Sequence, residues 1–249
     1  MENWVKVEKL KDRLSLSTIT LGTMRFAEKK MSVEQIIKLI EKAYDIGIDT
    51  HHSSYEYSSY ELYCKALEKI PYKKNLKHIT KLSAPHFEEG RFSSHNLEEK
   101  VDNELKRLNI DTIDVLQWLV RSKPINDINR LHTLSSQQEE IQETLKILKK
   151  KGKVKTVFSF PYSVNFAQEV IKLSEVDGIV SYLNNEEKEY ESLANTTPFI
   201  SIRPFFAGKL LEKIGVEACL DYTCNQKEVL STIVGINRLS HLENYKNFL

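Results

Sequence analysis

This sequence of 249 residues has few cysteines and glycines and a net charge close to zero. It has 3 cysteines and 8 glycines, and 36 Lys and Arg against 35 Asp and Glu leave a formal net charge of +1. Cys64, Cys219 and Cys224 follow no metal-ligand spacing, which predicts reduced thiols rather than a disulfide framework. The charges form no long block of one sign, which argues against a protein that binds nucleic acid or a membrane surface.

Long apolar segments are missing as well. No stretch approaches the roughly 18 apolar residues of a membrane span. The first residues, MENWVKVEK, place charges where a signal peptide needs an apolar run. We therefore expect a soluble, cytoplasmic protein. The length suffices to bury a large core without disulfides or metal, and residues 1–249 are predicted to form a single domain.

Short apolar segments alternate with amphipathic ones along the whole chain. The predicted strands are 18–21, 48–50, 79–81, 113–120, 154–158, 178–182, 199–202 and 232–234. The predicted helices are 32–46, 60–70, 94–108, 137–151, 163–173, 186–193, 226–231 and 239–248. This alternation predicts a (β/α)8 TIM barrel of the α/β class. A doubly wound sheet is the alternative, but its Gly-x-Gly-x-x-Gly turn is absent.

Catalytic groups of a barrel lie at the carboxyl ends of its strands, which directs attention to residues 49–59 and Lys81. Residues 49–59 combine a carboxylate, two imidazoles and two phenols, which could support proton transfer or simply form a polar surface loop. Lys81 is expected in the barrel mouth with Asp49 as its partner, or extended to the rim. A metal site is not expected, because His51 and His52 are adjacent in a strand and face opposite ways.

Several motifs occur in a characteristic order: 21–26 (LGTMRF), 43–50 (AYDIGIDT), 59–67 (SYELYCKAL), 79–81 (ITK), 105–108 (LKRL), 113–117 (IDVLQ), 152–159 (GKVKTVFS), 204–211 (PFFAGKLL), 233–235 (IVG) and 242–244 (LEN). This order resembles that of the aldo-keto reductase superfamily, over nearly the whole chain. The resemblance implies a TIM barrel that reduces carbonyls with NADPH.

The resemblance also implies a catalytic Asp, Tyr, Lys and His. Asp49 and Lys81 match the first and third of these. The tyrosine position falls on Ser54, one residue before Tyr55, and the histidine position falls on Leu119. We predict that a one-residue bulge makes Tyr55 the proton donor, with Tyr57 as a poorer candidate. His52, or His51, is expected to replace the missing imidazole.

The cofactor positions of the family are better kept. The resemblance assigns Gly208, Lys209 and Leu210, with Arg203 just before them, to the loop that holds the pyrophosphate. It assigns Gly235, Asn237 and Arg238 to the adenosine 2′-phosphate site at a helix N-terminus. It assigns Glu243 and Asn244 to the adenine contacts and Ser159 to the nicotinamide contact. The family's glutamine on strand six is replaced by Val180 or Ser181.

The leading prediction is an NADPH-dependent oxidoreductase that reduces a carbonyl of a small or sugar-like substrate. Arg121, Arg203 or a histidine would orient that substrate. One alternative is a catalytically silent barrel that binds a nucleotide, a protein partner or a second copy of the chain. Another is a non-redox enzyme that uses the residue 51–55 loop. The family's usual tail does not follow Leu249, so we expect an open mouth, walled partly by residues 122–136, that suits a bulky substrate or a covering partner.

Overall fold

The structure, a computed structural model, describes residue 8 and residues 10–249. The signal-peptide expectation rests on residues 1–9, and of these only residue 8 is described. In the part of the chain that is described, no helix is both long enough and apolar enough to cross a membrane.

Strands and helices alternate along the described chain. The strands are β1 (Ile19–Gly22), β2 (Thr50–Ser53), β3 (Lys77–Ser83), β4 (Ile113–Leu119), β5 (Val154–Ser159), β6 (Gly178–Tyr182), β7 (Phe199–Ile202) and β8 (Val229–Gly235). The α-helices are α1 (Val33–Asp45), α2 (Tyr60–Glu68), α3 (Ser94–Leu108), α4 (Asp127–Ser136), α5 (Gln138–Lys150), α6 (Val164–Val170), α7 (Glu191–Ala194) and α8 (Leu211–Cys224). Short 3₁₀ segments cover Lys73–Asn75, Phe206–Gly208 and Leu239–Phe248.

The strands of residues 10–249 form one closed barrel in sequence order, from β1 to β8. The strand pairs within it are parallel. The predicted (β/α)8 architecture is therefore confirmed.

The chain divides into two compact units, which we describe separately. Unit 1 holds the chain up to His78 together with Ser181–Leu249, and unit 2 holds Ile79–Val180. In unit 1, β1 lies between β2 and β8, and β8 also pairs with β7. In unit 2, β4 lies between β3 and β5. The single domain of the sequence analysis stays a prediction.

Local sequence explains the best-defined elements. Ser32 begins α1 with a capping box, in which its hydroxyl accepts from the Gln35 amide while the Gln35 side chain accepts from the Ser32 amide. The apolar positions of α1, spaced as in a helix, are buried. Every residue of β4 is buried, as a strand covered on both faces requires.

Several predicted elements differ from the structure. The helix expected at 186–193 covers only Glu191–Ala194, and the helix expected at 239–248 is a 3₁₀ segment. The helix expected at 226–231 lies earlier, at Leu211–Cys224. The sequence pattern does not show this helix because Gly215, with φ 79°, interrupts it and breaks its apolar period. The expected loop 122–136 contains α4, whose first turn is capped by the Asn126 side chain. The second strand begins at Thr50 rather than Ile48, which changes the interpretation of Asp49.

Candidate active site

The carboxyl ends of four strands of unit 1 are aligned by their pairing. Gly22 of β1 is the register partner of both His52 of β2 and Gly235 of β8. On the other side of β8, Ile233 pairs with Ile202, the last residue of β7. The segments after β7 and β8, which carry the predicted cofactor residues, therefore begin on the same edge of the sheet as the end of β2.

Asp49 lies at the opposite end of β2 from this edge. It precedes Thr50, the first residue of the strand, and its carboxylate lies 2.6 Å from the ammonium of Lys77, the first residue of β3. Lys81 comes four residues later in β3, about 13 Å further along the strand. Asp49 was expected near the carboxyl end of strand 48–50 and as the partner of Lys81; the structure places it before the strand and pairs it with Lys77, so both expectations are wrong. Pairing with β1 shifts the strand by two residues and moves His52 to the carboxyl end.

His52 and Tyr57 form an aromatic pair at the end of β2. The His52 side chain is buried, and its ring centre lies 5.9 Å from that of Tyr57 in an edge-on arrangement. Tyr57 is half-buried, whereas Tyr55 is 40% exposed. The geometry thus favours Tyr57, which the sequence ranked below Tyr55, as the phenol of this loop that packs against the imidazole at the strand end.

Two residues that the sequence analysis did not select hold this loop in place. The Thr23 hydroxyl donates to the His52 carbonyl oxygen at 3.0 Å, and the Ser59 hydroxyl donates to the Thr23 carbonyl oxygen at 2.8 Å. Ser59 stands directly before α2 but makes no side-chain cap there. Thr23 after β1 and Ser59 before α2 were both in the quoted motifs, but their mutual contact is a tertiary feature.

His51 faces the other way and belongs to the interior. Its Nδ1 lies 3.0 Å from the Tyr63 hydroxyl of α2, and its ring centre lies 6.3 Å from that of His78. Burial, with a smaller contribution from His78, lowers the pKa of His51 to about 3. The imidazole is therefore neutral at ordinary pH, and its position against Tyr63 makes it a core residue.

The loop after β7 has a strained backbone. Arg203, Phe206 and Ala207 have positive φ angles of 60°, 47° and 57°, and Gly208 has φ 94°. Left-handed backbone at non-glycine residues costs energy and is concentrated at binding sites. Apart from its two chain neighbours, no described residue has an atom within 4 Å of where a Cβ of Gly208 would be, so the loop has open space there.

Side chains and amides of this loop are partly engaged already. The Arg203 guanidinium lies 3.1 Å from the Glu187 carboxylate and 4.8 Å from the Tyr182 ring centre. The amides of Gly208, Lys209 and Leu210 donate to carbonyl oxygens of the same loop. Lys209 is exposed and Leu210 is buried. Lys209 is therefore the side chain of the three that is best placed to reach a phosphate.

The segment after β8 is accessible. Gly235 is exposed with no atom near its potential Cβ, and Arg238 is exposed in front of the 3₁₀ segment. Glu243 and Asn244 are exposed on that segment, and Asn237 is half-buried. This arrangement leaves an open backbone beside an exposed guanidinium, which fits an anionic group.

The predicted site residues of unit 2 lie at the ends of β3, β4 and β5. Lys81 is half-buried and is the register partner of Gln117. Leu119, at the family's histidine position, is buried at the end of β4. Trp118 pairs with Ser159 in the register, and its indole donates to the Ala84 carbonyl oxygen at 2.7 Å.

Several buried hydroxyls have no hydrogen-bond partner among the described residues; besides those of Ser53, Thr80 and Tyr222, they include Ser159 Oγ at the end of β5 and Ser181 Oγ in β6. A buried polar atom without a partner is costly, and a ligand amide is one way to satisfy it. The positions of Ser159 and Ser181 each fit a hydrogen bond to a carboxamide such as that of nicotinamide. Among residue 8 and residues 10–249, no group of three or more His, Cys, Asp or Glu could hold a metal ion.

Comparison with known proteins extends the sequence resemblance. The model of the aldo/keto reductase family matches residues 18–215, which is most of the chain. This chain belongs to the aldo/keto reductase family. Its family and fold are those of oxidoreductases that act on small carbonyl compounds and generally use NAD(P)H. A search of curated proteins found no match.

Solved structures with the same fold include three bacterial proteins. PA4992 of Pseudomonas aeruginosa has 20% identity and a TM-score of 0.73, with 92% of this chain and 88% of that chain covered. The holo form of the aldo-keto reductase AKR11C1 from Bacillus halodurans has 18% identity and a TM-score of 0.71, with 93% and 86% covered. The glycerol dehydrogenase AKR11B4 from Gluconobacter oxydans has 16% identity and a TM-score of 0.71, with 94% and 86% covered. At these identities the likeness establishes the fold.

Proposed function

We propose that this aldo/keto reductase is an NADPH-dependent oxidoreductase that reduces a carbonyl group of a small or sugar-like substrate. The observation that supports this most is the aligned edge of unit 1. There the strained loop after β7, the open segment after β8 and the His52–Tyr57 pair follow neighbouring strands. A cofactor held by the loop after β7 and the segment after β8 would therefore lie on the same edge of the sheet as the His52–Tyr57 pair.

The cofactor would be held mainly through its phosphates. Lys209 and Arg238 are exposed cations, and Gly208 and Gly235 leave open space for a close approach of phosphate oxygens. Arg238 before a helical segment suits an adenosine 2′-phosphate, the group that distinguishes NADPH from NADH. Ser159 Oγ, buried without a partner among the described residues, would bond the nicotinamide amide. The bound nicotinamide supplies the hydride.

Tyr57 would supply the proton. Its phenol is half-buried beside the imidazole of His52, which lies at the end of β2. His52 would orient the Tyr57 hydroxyl, and Lys81, the position that matches the family lysine, stays a proposed catalytic residue on the resemblance alone. Asp49 is assigned no catalytic role, because it pairs with Lys77 at the start of β2.

The cofactor is tested by titrating the purified protein with NADPH and, in parallel, with NADH, following nucleotide fluorescence. We expect saturable binding that favours NADPH, and an Arg238→Ala variant that loses that preference by weakening NADPH alone. The matched control is Lys42→Ala, since Lys42 is an exposed cation of α1 that pairs only with Asp45 in the contacts that the structure provides. Absence of binding at millimolar nucleotide would refute the proposal.

A second candidate function is a silent barrel that binds nucleotide without turning over a carbonyl. The observation that favours it is Leu119, a buried apolar residue at the family's histidine position. Loss of one acid-base group commonly costs about 10²- to 10⁴-fold in rate. NADPH binding together with no NADPH oxidation across a panel of aldehydes, ketones and ketoses would select this candidate.

A further inference from the structure

The loops after β6 and β7, which both belong to unit 1, are joined by one buried amide side chain. Asn184 follows β6 by two residues and is fully buried. Its Oδ1 accepts from the backbone amides of Glu186 and Glu187 at 3.0 and 2.8 Å. These two N–H donors fix which end of the Asn184 amide is the oxygen, so its nitrogen is the end that donates to other groups.

The Asn184 nitrogen donates to the residue at which the loop after β7 begins. Nδ2 lies 3.0 Å from the carbonyl oxygen of Arg203, which also accepts from the Phe206 amide at 2.9 Å. Arg203 has a φ of 60°, and left-handed backbone of this kind persists at a non-glycine residue where neighbouring contacts hold it. The bond from Asn184 is such a contact, and it comes from outside the loop.

Glu187 contacts both partners of this bond. Its carboxylate accepts from Asn184 Nδ2 at 2.7 Å and lies 3.1 Å from the Arg203 guanidinium. The guanidinium carbon lies 5.4 Å from the ring centre of Phe206, which is further along the same loop. The backbone and the side chain of Arg203 are therefore both held by the loop after β6.

We propose that Asn184 is a positioning residue that holds the loop after β7 in the left-handed shape proposed to bind the cofactor phosphates. A loop that is already ordered binds its ligand more tightly, because binding does not have to order it. The hydrogen bonds of Asn184 and Arg203 are sufficient to argue that the loop is held. The effect of Asn184 on nucleotide affinity rests on the proposed function.

Asn184→Asp tests this role, because it keeps the size and the oxygen acceptor of the side chain and removes both donated bonds. It also places a second carboxylate beside that of Glu187. Hydrogen–deuterium exchange without nucleotide measures the amides of residues 203–210. We expect them to exchange about tenfold faster than in the wild type, the factor that corresponds to the loss of one hydrogen bond. The affinity for NADPH should fall by about the same factor.

Asn195→Asp is the matched control, because it makes the same change in another amide of unit 1 that is bonded at both ends. The Asn195 nitrogen donates to the Glu191 carbonyl oxygen and to the Gln226 side chain. Its oxygen accepts from the Lys227 amide, so it joins the end of α7 to the segment before β8. Exchange of residues 203–210 and NADPH affinity should match those of the wild type, even if urea unfolding shows that both variants lose the same overall stability.

Circular dichroism verifies each fold, and Asn184→Ser, a smaller polar side chain, replaces Asn184→Asp if the latter unfolds. Equal exchange of residues 203–210 in the Asn184 and Asn195 variants would overturn the proposal. Faster exchange in the Asn184 variant with unchanged NADPH affinity would overturn it as well. If the wild type bound no NADPH, the reductase proposal would fail, and the exchange comparison would still decide whether Asn184 holds this loop.

Discussion

Tyr55 and Tyr57 belong to one short loop, yet their surroundings differ. Tyr57 lies against the buried imidazole of His52, and Tyr55 is 40% exposed. A group that transfers a proton needs a neighbouring group that shifts its pKa or fixes its orientation. A buried side chain is held by such neighbours more firmly than an exposed one. Tyr57, the side chain that packs against His52, is therefore the better candidate for the proposed proton donor.

We expect Tyr57→Phe to lower the rate of NADPH-dependent carbonyl reduction by about 10²- to 10⁴-fold, because the variant removes the donated proton and little else. Tyr55→Phe is the control with the same chemical change, and its rate should stay near that of the wild type. Steady-state kinetics measures the rates of both variants. An unchanged affinity for NADPH shows that the loss lies in the reaction and not in cofactor binding. The opposite pattern would restore Tyr55 as the donor.

His51 is a buried imidazole that makes folding sensitive to acid. Burial lowers the pKa of His51 from 6.5 to about 3. In the unfolded chain the ring takes up a proton near its ordinary pKa, so the unfolded state binds more protons between these two values. The stability of the neutral ring is therefore complete above pH 6.5 and is lost as the pH falls toward about 3.

Replacing His51 with Gln, which retains a polar group for Tyr63, should remove this contribution. Each pH unit below the unfolded pKa costs about 1.4 kcal/mol, so the wild type should lose about 2 kcal/mol more than His51→Gln between about pH 7 and pH 5. Urea unfolding at both pH values measures the difference. His95→Gln, which changes an exposed imidazole of α3, should keep the acid sensitivity of the wild type. Equal losses in all three proteins would show that His51 titrates normally.

At the scale of elements, the loop that joins β7 to α8 stores backbone strain where a cofactor is proposed. Gly208 has φ 94°, a conformation that a Cβ disfavours, although there is space for that Cβ. Gly152, before β5, has the same kind of conformation with φ 72° and equal space. The two glycines thus have similar backbone strain, but only Gly208 lies in the loop where the cofactor is proposed to bind.

Gly208→Ala and Gly152→Ala should each lower the free energy of unfolding by about 1 kcal/mol, the cost of a left-handed alanine. Only Gly208→Ala should also weaken NADPH binding, by about tenfold if one phosphate contact of about 1.4 kcal/mol is lost. Thermal unfolding and fluorescence titration of both variants measure the two effects. Equal NADPH affinities of the two variants would exclude this loop from cofactor binding.

At the scale of the whole molecule, the first strand pairs with the last. Gly22 of β1 faces Gly235 of β8 in the register, so this pair joins residues that are far apart in the chain. A Cβ at Gly22 would lie 3.1 Å from the Val234 carbonyl oxygen and 3.3 Å from the Ile233 side chain. The close approach of the two backbones requires glycine at this position.

Gly22→Ala should therefore lower the free energy of unfolding by about 1–3 kcal/mol, the usual cost of forcing an extra carbon into a packed place. Gly235→Ala, which changes the register partner but adds its Cβ to open space, should change stability little. Urea unfolding with an unchanged m-value measures both. A destabilisation of the same size in both variants would mean that glycine is needed for flexibility and not for space.

The strands β4 to β7 were predicted to within one residue, because these short segments are rich in apolar and β-branched residues and need no tertiary information. The second strand was misplaced, since Ile48-Asp49-Thr50 has as strong a strand pattern as Thr50–Ser53. Only hydrogen bonding to β1 distinguishes them. That shift of two residues is what separated Asp49 from the edge where the site is proposed.

The sequence by itself determined the alternation of strands and helices and the family, because these depend on residues close together in the chain. Tertiary structure decided which titratable groups meet. It placed Tyr57 against His52, Asp49 on Lys77, and Arg203 on Glu187. Those contacts follow from strand register and loop packing, which are set by the sum of many distant interactions and are not encoded in any short segment.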